Sequence, residues 1–160
     1  MQAANSAAVS FGKPITSPIL IPVDHKSTPS CISEPFMVNG TCCKVTAISF
    51  GTPHGVVIVD DVDDIDVSAI GSALGTHALF PKGASIVFVQ ITGKDSLKAR
   101  LWQRGQGETP YSSEAVCAVA TVAMMLQKIM GYTATVSMGE NTFLVEWDRV
   151  GEVMLTELEG

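Results

Sequence analysis

Twelve consecutive residues, 115–126, read AVCAVATVAMML, and Thr121 is the one polar side chain among them. At helical periodicity such a run is apolar on every face, and a helix without a polar face has to be surrounded by protein. It is too short to cross a bilayer, which takes about 20 apolar residues. The chain must therefore fold the rest of itself around one central rod. The approach to the rod is just as distinctive, because residues 104–114, RGQGETPYSSE, form a segment rich in glycine and hydroxyl groups that ends at the helix N-terminus. Unpaired N–H groups and the positive end of the helix dipole attract anions or steady a nucleophile there, so whatever stands at that point bears on function.

The material around the rod is mostly β. Runs rich in β-branched residues and bounded by Gly, Pro, Asp or Asn predict strands at 7–11, 19–23, 36–38, 42–50, 55–59, 86–91, 97–103, 133–137, 142–147 and 153–156. Residues 138–141 (MGEN) and 148–151 (DRVG) read as hairpin turns. A weaker amphipathic pattern at 67–74, behind Asp66 as N-cap, predicts a short surface helix. The Pro/Ser-rich stretch 24–35 reads as a long loop. Many strands about one buried helix make an α+β fold, a mixed or antiparallel sheet wrapped as a partial barrel around the rod. With 160 residues, 46% hydrophobic and 16% charged, a single domain over 1–160 has material for a sizeable core. A net charge of −6 argues against nucleic acid and against an anionic membrane surface as partners. Residues 1–12 show neither the basic nor the apolar region of a secretory signal, so a cytoplasmic location is expected.

Several polar or soft residues have plain structural readings. Cys31, Cys42, Cys43 and Cys117 lack metal-ligand spacing and read as reduced structural thiols, with Cys42 and Cys43 on opposite faces of one strand and Cys117 a small hydrophobe inside the rod. The acidic run 60–66 lacks the glycine and terminal glutamate of an EF-hand loop and reads as a solvated turn, so no metal is expected. Met124, Met125 and Met130 read as core filler.

Three stretches in order, SFGTPHGV (49–56) followed by VDDVD (59–63), LFPKGASIVFV (79–89) and LWQRGQGET (101–109), together with the apolar helix behind them, resemble the C-terminal half of the diaminopimelate epimerase family. The resemblance covers nearly the whole chain. It implies a fold of two pseudo-symmetric halves, each a sheet around a central helix, with the active site between them. It also implies cofactor-independent racemisation of an amino acid in lysine biosynthesis, by two cysteines that work from opposite faces of the α-carbon. The first 45 residues hold no counterpart of the family's other half.

The departures fall on the chemistry. The family pattern around its second cysteine is E-R-G-x-G-E-T-x-x-C-G-T-G, and here the cysteine position is Ser112, followed by Ser113, Glu114 and Ala115. The leading glutamate is Gln103, Arg104 is kept, the asparagine of G-N-P-H is Thr52 with His54 kept, and a later asparagine is Ser85. By resemblance, Ser112 is then the catalytic position, and Thr52, His54, Ser85, Gln103, Arg104, Ser113 and Glu114 are the substrate-binding positions. A thiol titrates near 8.5, and a helix N-terminus lowers it further; a serine hydroxyl needs a separate base. The residues also have ordinary readings: Ser112 or Ser113 as N-cap, Glu114 as a favourable charge on the helix dipole, His54 as a turn residue, Arg104 paired with Glu108 or another surface carboxylate. Two function classes follow. One is an isomerase part that needs a partner half; the other, which the residue chemistry favours, is a pseudoenzyme that has lost racemase chemistry and serves as a binding or assembly subunit. Either implies a homodimer or larger assembly that supplies the missing half, with a small amino acid as the candidate ligand.

Overall fold

The structure is a computed structural model that describes residues 8–17, 20–22, 32–78 and 80–158. Its strands are β1 (Val9–Ser10), β2 (Glu34–Val38), β3 (Thr41–Ser49), β4 (Pro53–Ile58), β5 (Ser85–Ile91), β6 (Ser96–Gln103), β7 (Gly107–Thr109), β8 (Thr133–Met138), β9 (Asn141–Glu146) and β10 (Met154–Leu158). Helix α1 (Val67–Gly75) stands between β4 and β5, and α2 (Ser113–Met125) between β7 and β8. All ten strands join one mixed sheet in the order β1-β10-β9-β8-β6-β5-β4-β3-β2, with β7 paired to β6 off this path. The sheet is open, ending at β1 and β2. The pairs β4/β5 and β6/β8 are parallel, and each helix lies on one of these crossovers, the connection that parallel neighbours require. This is the α+β architecture expected from the sequence.

The helices divide the core between the two faces of the sheet. Val87, Val89, Ile48, Val56 and Leu101 pack with α2, whereas Ile86, Phe88, Val45, Val57 and Trp102 pack with α1. Because β5 is covered on both faces, it reads as a continuous apolar run; β8 and β9 lie over α2 alone and alternate. Residues 115–124 of α2 are all buried, and the helix touches β3, β4, β5, β6, β8, β9 and β10. Its many alanines and valines keep those strands close. At its far end Arg149 donates to the carbonyls of Met124 (2.7 Å), Ile129 (2.8 Å) and Gly131 (3.0 Å), tying the last turn of the helix to the chain that follows it. Among the described residues no helix is long and apolar enough to cross a membrane.

Some expectations need correction. Residues 20–22 of the strand expected at 19–23 form a turn, and the remainder of that run lies outside the described residues. The long loop expected at 24–35 ends in β2, which takes Glu34 and Pro35; residues 24–31 lie outside the described residues, as does Cys31. The Asn39-Gly40 pair between β2 and β3, at φ 49° and 78°, makes a two-residue hairpin turn of the left-handed kind that this dipeptide favours. Residues 107–109, expected to be loop, pair with β6. Met130 is not core filler: it is 70% exposed beyond the end of α2, while Met124 is buried and Met125 packs at the edge of the core.

Candidate functional site at the N-terminus of the buried helix

Strand directions gather the motif residues at one end of the sheet. There β3 ends and β4 begins, with Ser49 opposite Pro53, and β5 starts beside β4 with His54 in register with Ser85. Strand β6 returns antiparallel to β5, so Gln103 and Arg104 arrive at the same end, and the Arg104 N–H donates to Ser85 Oγ at 3.0 Å. Strand β7 doubles back along β6, and Thr109 donates to Gln103 Oε1 at 3.0 Å. Pro110 and Tyr111 then carry the chain into α2. The β8–β9 turn packs on that entry loop: a Cβ on Gly139, which has φ +63°, would stand 2.9 Å from the Pro110 carbonyl oxygen. Tyr111 meets the ring of Phe143 with centroids 5.3 Å apart. Gly51, at φ +124°, turns the chain between β3 and β4 so that its Cβ position lies 3.9 Å from Glu114 Oε2.

The structure thus brings Thr52, His54, Ser85, Gln103, Ser112, Ser113 and Glu114 to one corner, and it separates their duties. Ser112 is the N-cap, in extended backbone, with Oγ accepting the Ala115 N–H at 3.2 Å. Ser113 is the first helical residue and caps nothing. Glu114 sits in the first turn, where the dipole favours a negative charge, yet its Oε1 is buried with no hydrogen-bond partner among the described residues. Burial, with a smaller contribution from the Glu114 charge, pushes the Cys117 thiol up to about 12, so it stays a neutral hydrophobe. Sequence reading gave Cys117 no link to the site, although its spacing of three from Glu114 puts both on one helix face.

His54 is not a turn residue but the second residue of β4, 2% exposed. Its Nδ1 lies 2.8 Å from the Thr52 carbonyl oxygen, which can accept but not donate, so Nδ1 carries the proton and Nε2 keeps its lone pair. Burial lowers its pKa below the ordinary histidine value, and the Thr52 hydrogen bond opposes this in part. Arg104 does not pair with Glu108. Its Nη1 donates to the Lys82 carbonyl, and the side chain lies against Gly83. Glu108 instead takes two hydrogen bonds from Arg100, at 2.8 and 3.0 Å. The acidic run is likewise occupied: Asp61 and Asp66 cap the 3-10 turn and α1 at 3.0 and 3.1 Å, and Asp63 pairs with Lys98. Among the described residues no three His, Cys, Asp or Glu are grouped to hold a metal.

The sequence profile of the diaminopimelate epimerase family matches residues 46–159. The chain belongs to this family. Among its curated relatives, the diaminopimelate epimerase of Leptospira biflexa is 38% identical over 148 residues, covering 92% of this chain and 52% of the relative. That of Acetivibrio thermocellus is 36% identical over 145 residues, covering 91% and 51%. The chain therefore spans about half the length of the epimerases it matches. Two solved structures share the fold at low identity. A probable proline racemase from Agrobacterium radiobacter superposes with a TM-score of 0.53 at 8% identity, covering 99% of this chain and 59% of the other. A phenazine biosynthesis protein of the PhzF family from Bacillus anthracis gives 0.52 at 16% identity, covering 73% and 47%.

Proposed function

We propose that this chain is one half of a diaminopimelate epimerase-like, two-half fold in which the mouth of α2 has become a structural cap and a docking face, so that it works as a binding or assembly subunit. One observation carries the reading: at Ser112–Glu114 the hydroxyl at the family's cysteine position accepts the Ala115 N–H, and the turn that would receive a substrate carboxylate holds the chain's own. A second anion beside Glu114 meets a like charge where the family pattern leaves bare N–H groups. No hydrogen bond links Ser112 to a base among the described residues, and an unassisted hydroxyl is not a base near neutral pH. In this reading the open sheet is an incomplete barrel about α2. A second copy or a companion subunit supplies the other half, over a face that includes the 39% exposed Tyr111.

The test is exchange of the α-proton of diaminopimelate with deuterated water by the purified chain. No exchange above the buffer rate is expected. Exchange that Ser112→Ala abolishes would overturn the reading. A second reading, a cofactor-independent amino-acid epimerase that acts only with its other half, draws support from His54, a neutral imidazole with a free lone pair retained in the family motif. Exchange that appears only on adding a companion half would establish that reading instead.

A further inference from the structure

We infer that the cleft between α1 and the sheet binds an amphipathic cation, an alkyl group that carries a primary ammonium. This site goes beyond the reading above, since it lies on the face of the sheet away from α2 and at the other end of β4 from His54. A cavity of about 400 Å³ opens there, and its lining includes Cys43 of β3, Val57 of β4, Phe88 of β5, Ile70 of α1, and Val59 and Ile65 from the connection between β4 and α1. Cys43, Val57 and Phe88 are 7%, 4% and 1% exposed and belong to the core, whereas Val59, Ile65 and Ile70 are only partly buried and stand toward solvent. Protein interiors leave few voids larger than a water molecule, and a volume of this size falls in the range of small-molecule pockets. The Cys43 thiol makes no hydrogen bond among the described residues. Burial, with the neighbouring Cys42, pushes it above the ordinary thiol range, so it stays neutral and the inner wall carries no charge.

The charge around the opening selects among apolar molecules. Val59 runs directly into Asp60, and Ile65 stands between Asp64 and Asp66, so two of the half-buried lining residues are carried by the acidic run 60–66. Three of its carboxylates are already used: Asp61 and Asp66 cap helical turns, and Asp63 pairs with Lys98. Asp60 and Asp64 are exposed and meet no cation among the described residues. An alkyl carboxylate would bring like charge to this rim. An alkylammonium can lay its chain on the apolar wall and keep its head in water at the rim, where the carboxylates attract it. The acidic run, which the mouth of α2 does not use, thereby acquires a role that a solvated turn does not have.

The experiment is a titration of the isotopically labelled full chain with hexylammonium chloride, and separately with hexanol and sodium hexanoate, following the backbone amides of Cys43, Ile65 and Ile70 by NMR. Saturable shifts are expected with hexylammonium, at least tenfold weaker binding with hexanol, and no response to hexanoate. Replacing Asp60 and Asp64 together by Asn should bring hexylammonium down to the level of hexanol, and Ile70→Trp, which fills the cavity, should abolish both responses. Should Ile70→Trp fail to fold, labelling of Cys43 by methyl methanethiosulfonate in the unmodified chain, read by mass spectrometry, takes its place: saturating hexylammonium is expected to slow it at least tenfold. Hexylammonium that produces no saturable shift, that binds no tighter than hexanol or hexanoate, or that leaves the labelling of Cys43 unchanged overturns the inference. So does binding that survives in full in a folded Ile70→Trp chain. None of these outcomes bears on α-proton exchange, which tests the proposed function separately.

Discussion

At position 112 the side chain is a hydroxyl already bonded to the helix it precedes. Ser112→Ala is therefore expected to lower stability by about 1 kcal/mol, the usual cost of a lost N-cap, measured by denaturant unfolding. Ser113→Ala should leave stability nearly unchanged, because Ser113 already lies inside the helix. His54 predicts a pH dependence. An unperturbed histidine titrates at 6.5 and the buried His54 lower, so below pH 6.5 the unfolded state binds more protons than the native state. Stability from this group is complete above pH 6.5 and is lost as pH falls through the folded pKa. In urea melts across that range the unmodified chain should lose stability more steeply than His54→Asn, and parallel profiles would show that folding does not lower the pKa of this imidazole.

At the scale of elements, α1 sits against the sheet through Gly71 and Gly75 as well as through the buried Val67 and Leu74. A Cβ on Gly71 would fall 2.5 Å from Trp102 Cβ, and one on Gly75 would fall 2.6 Å from the Ala84 carbonyl oxygen. Neither neighbour is the free end of a flexible side chain. Gly71→Ala should therefore destabilise the chain by about 1–3 kcal/mol, although alanine is the better helix former, because overpacking outweighs propensity. A stability gain on thermal unfolding would mean that α1 can slide over Trp102. Trp102 stands one residue before Gln103, so such a slide would also move the end of β6 that places Gln103 and Arg104.

For the whole molecule, the prediction concerns the end of the sheet that gathers the family motifs. Tyr111 and the half-buried Thr52 are open to solvent there, while Ser85 is 3% exposed beneath the Arg104 backbone. A half-fold with its mouth uncovered should associate. Sedimentation velocity at micromolar concentration is expected to show a dimer or larger species, and Tyr111→Glu, which puts a charge on the face proposed for docking, should shift it toward monomer. A monodisperse monomer would leave the assembly role without support.

Local pattern alone determined the elements. Twelve residues without a polar face require a buried helix, β-branched runs between turn formers require strands, and an acceptor ahead of a helical period requires a cap; Ser112 and Asp66 both fill that role. These signals are legible because they depend on neighbours within a few residues. Tertiary structure decided which partner each polar group would find. The identity of Arg104 could not say that its guanidinium turns to the Lys82 carbonyl, nor could Glu108 announce Arg100, because each pairing depends on how strands distant in sequence come into register. The same holds for Gly107–Thr109, whose strand character comes from the open edge of β6 rather than from its own composition. Glu114 shows the division most clearly: its place in the first turn of α2 follows from sequence, but that its Oε1 is buried without a donor among the described residues, and that Gly51 approaches its Oε2, depends on chain brought in from elsewhere.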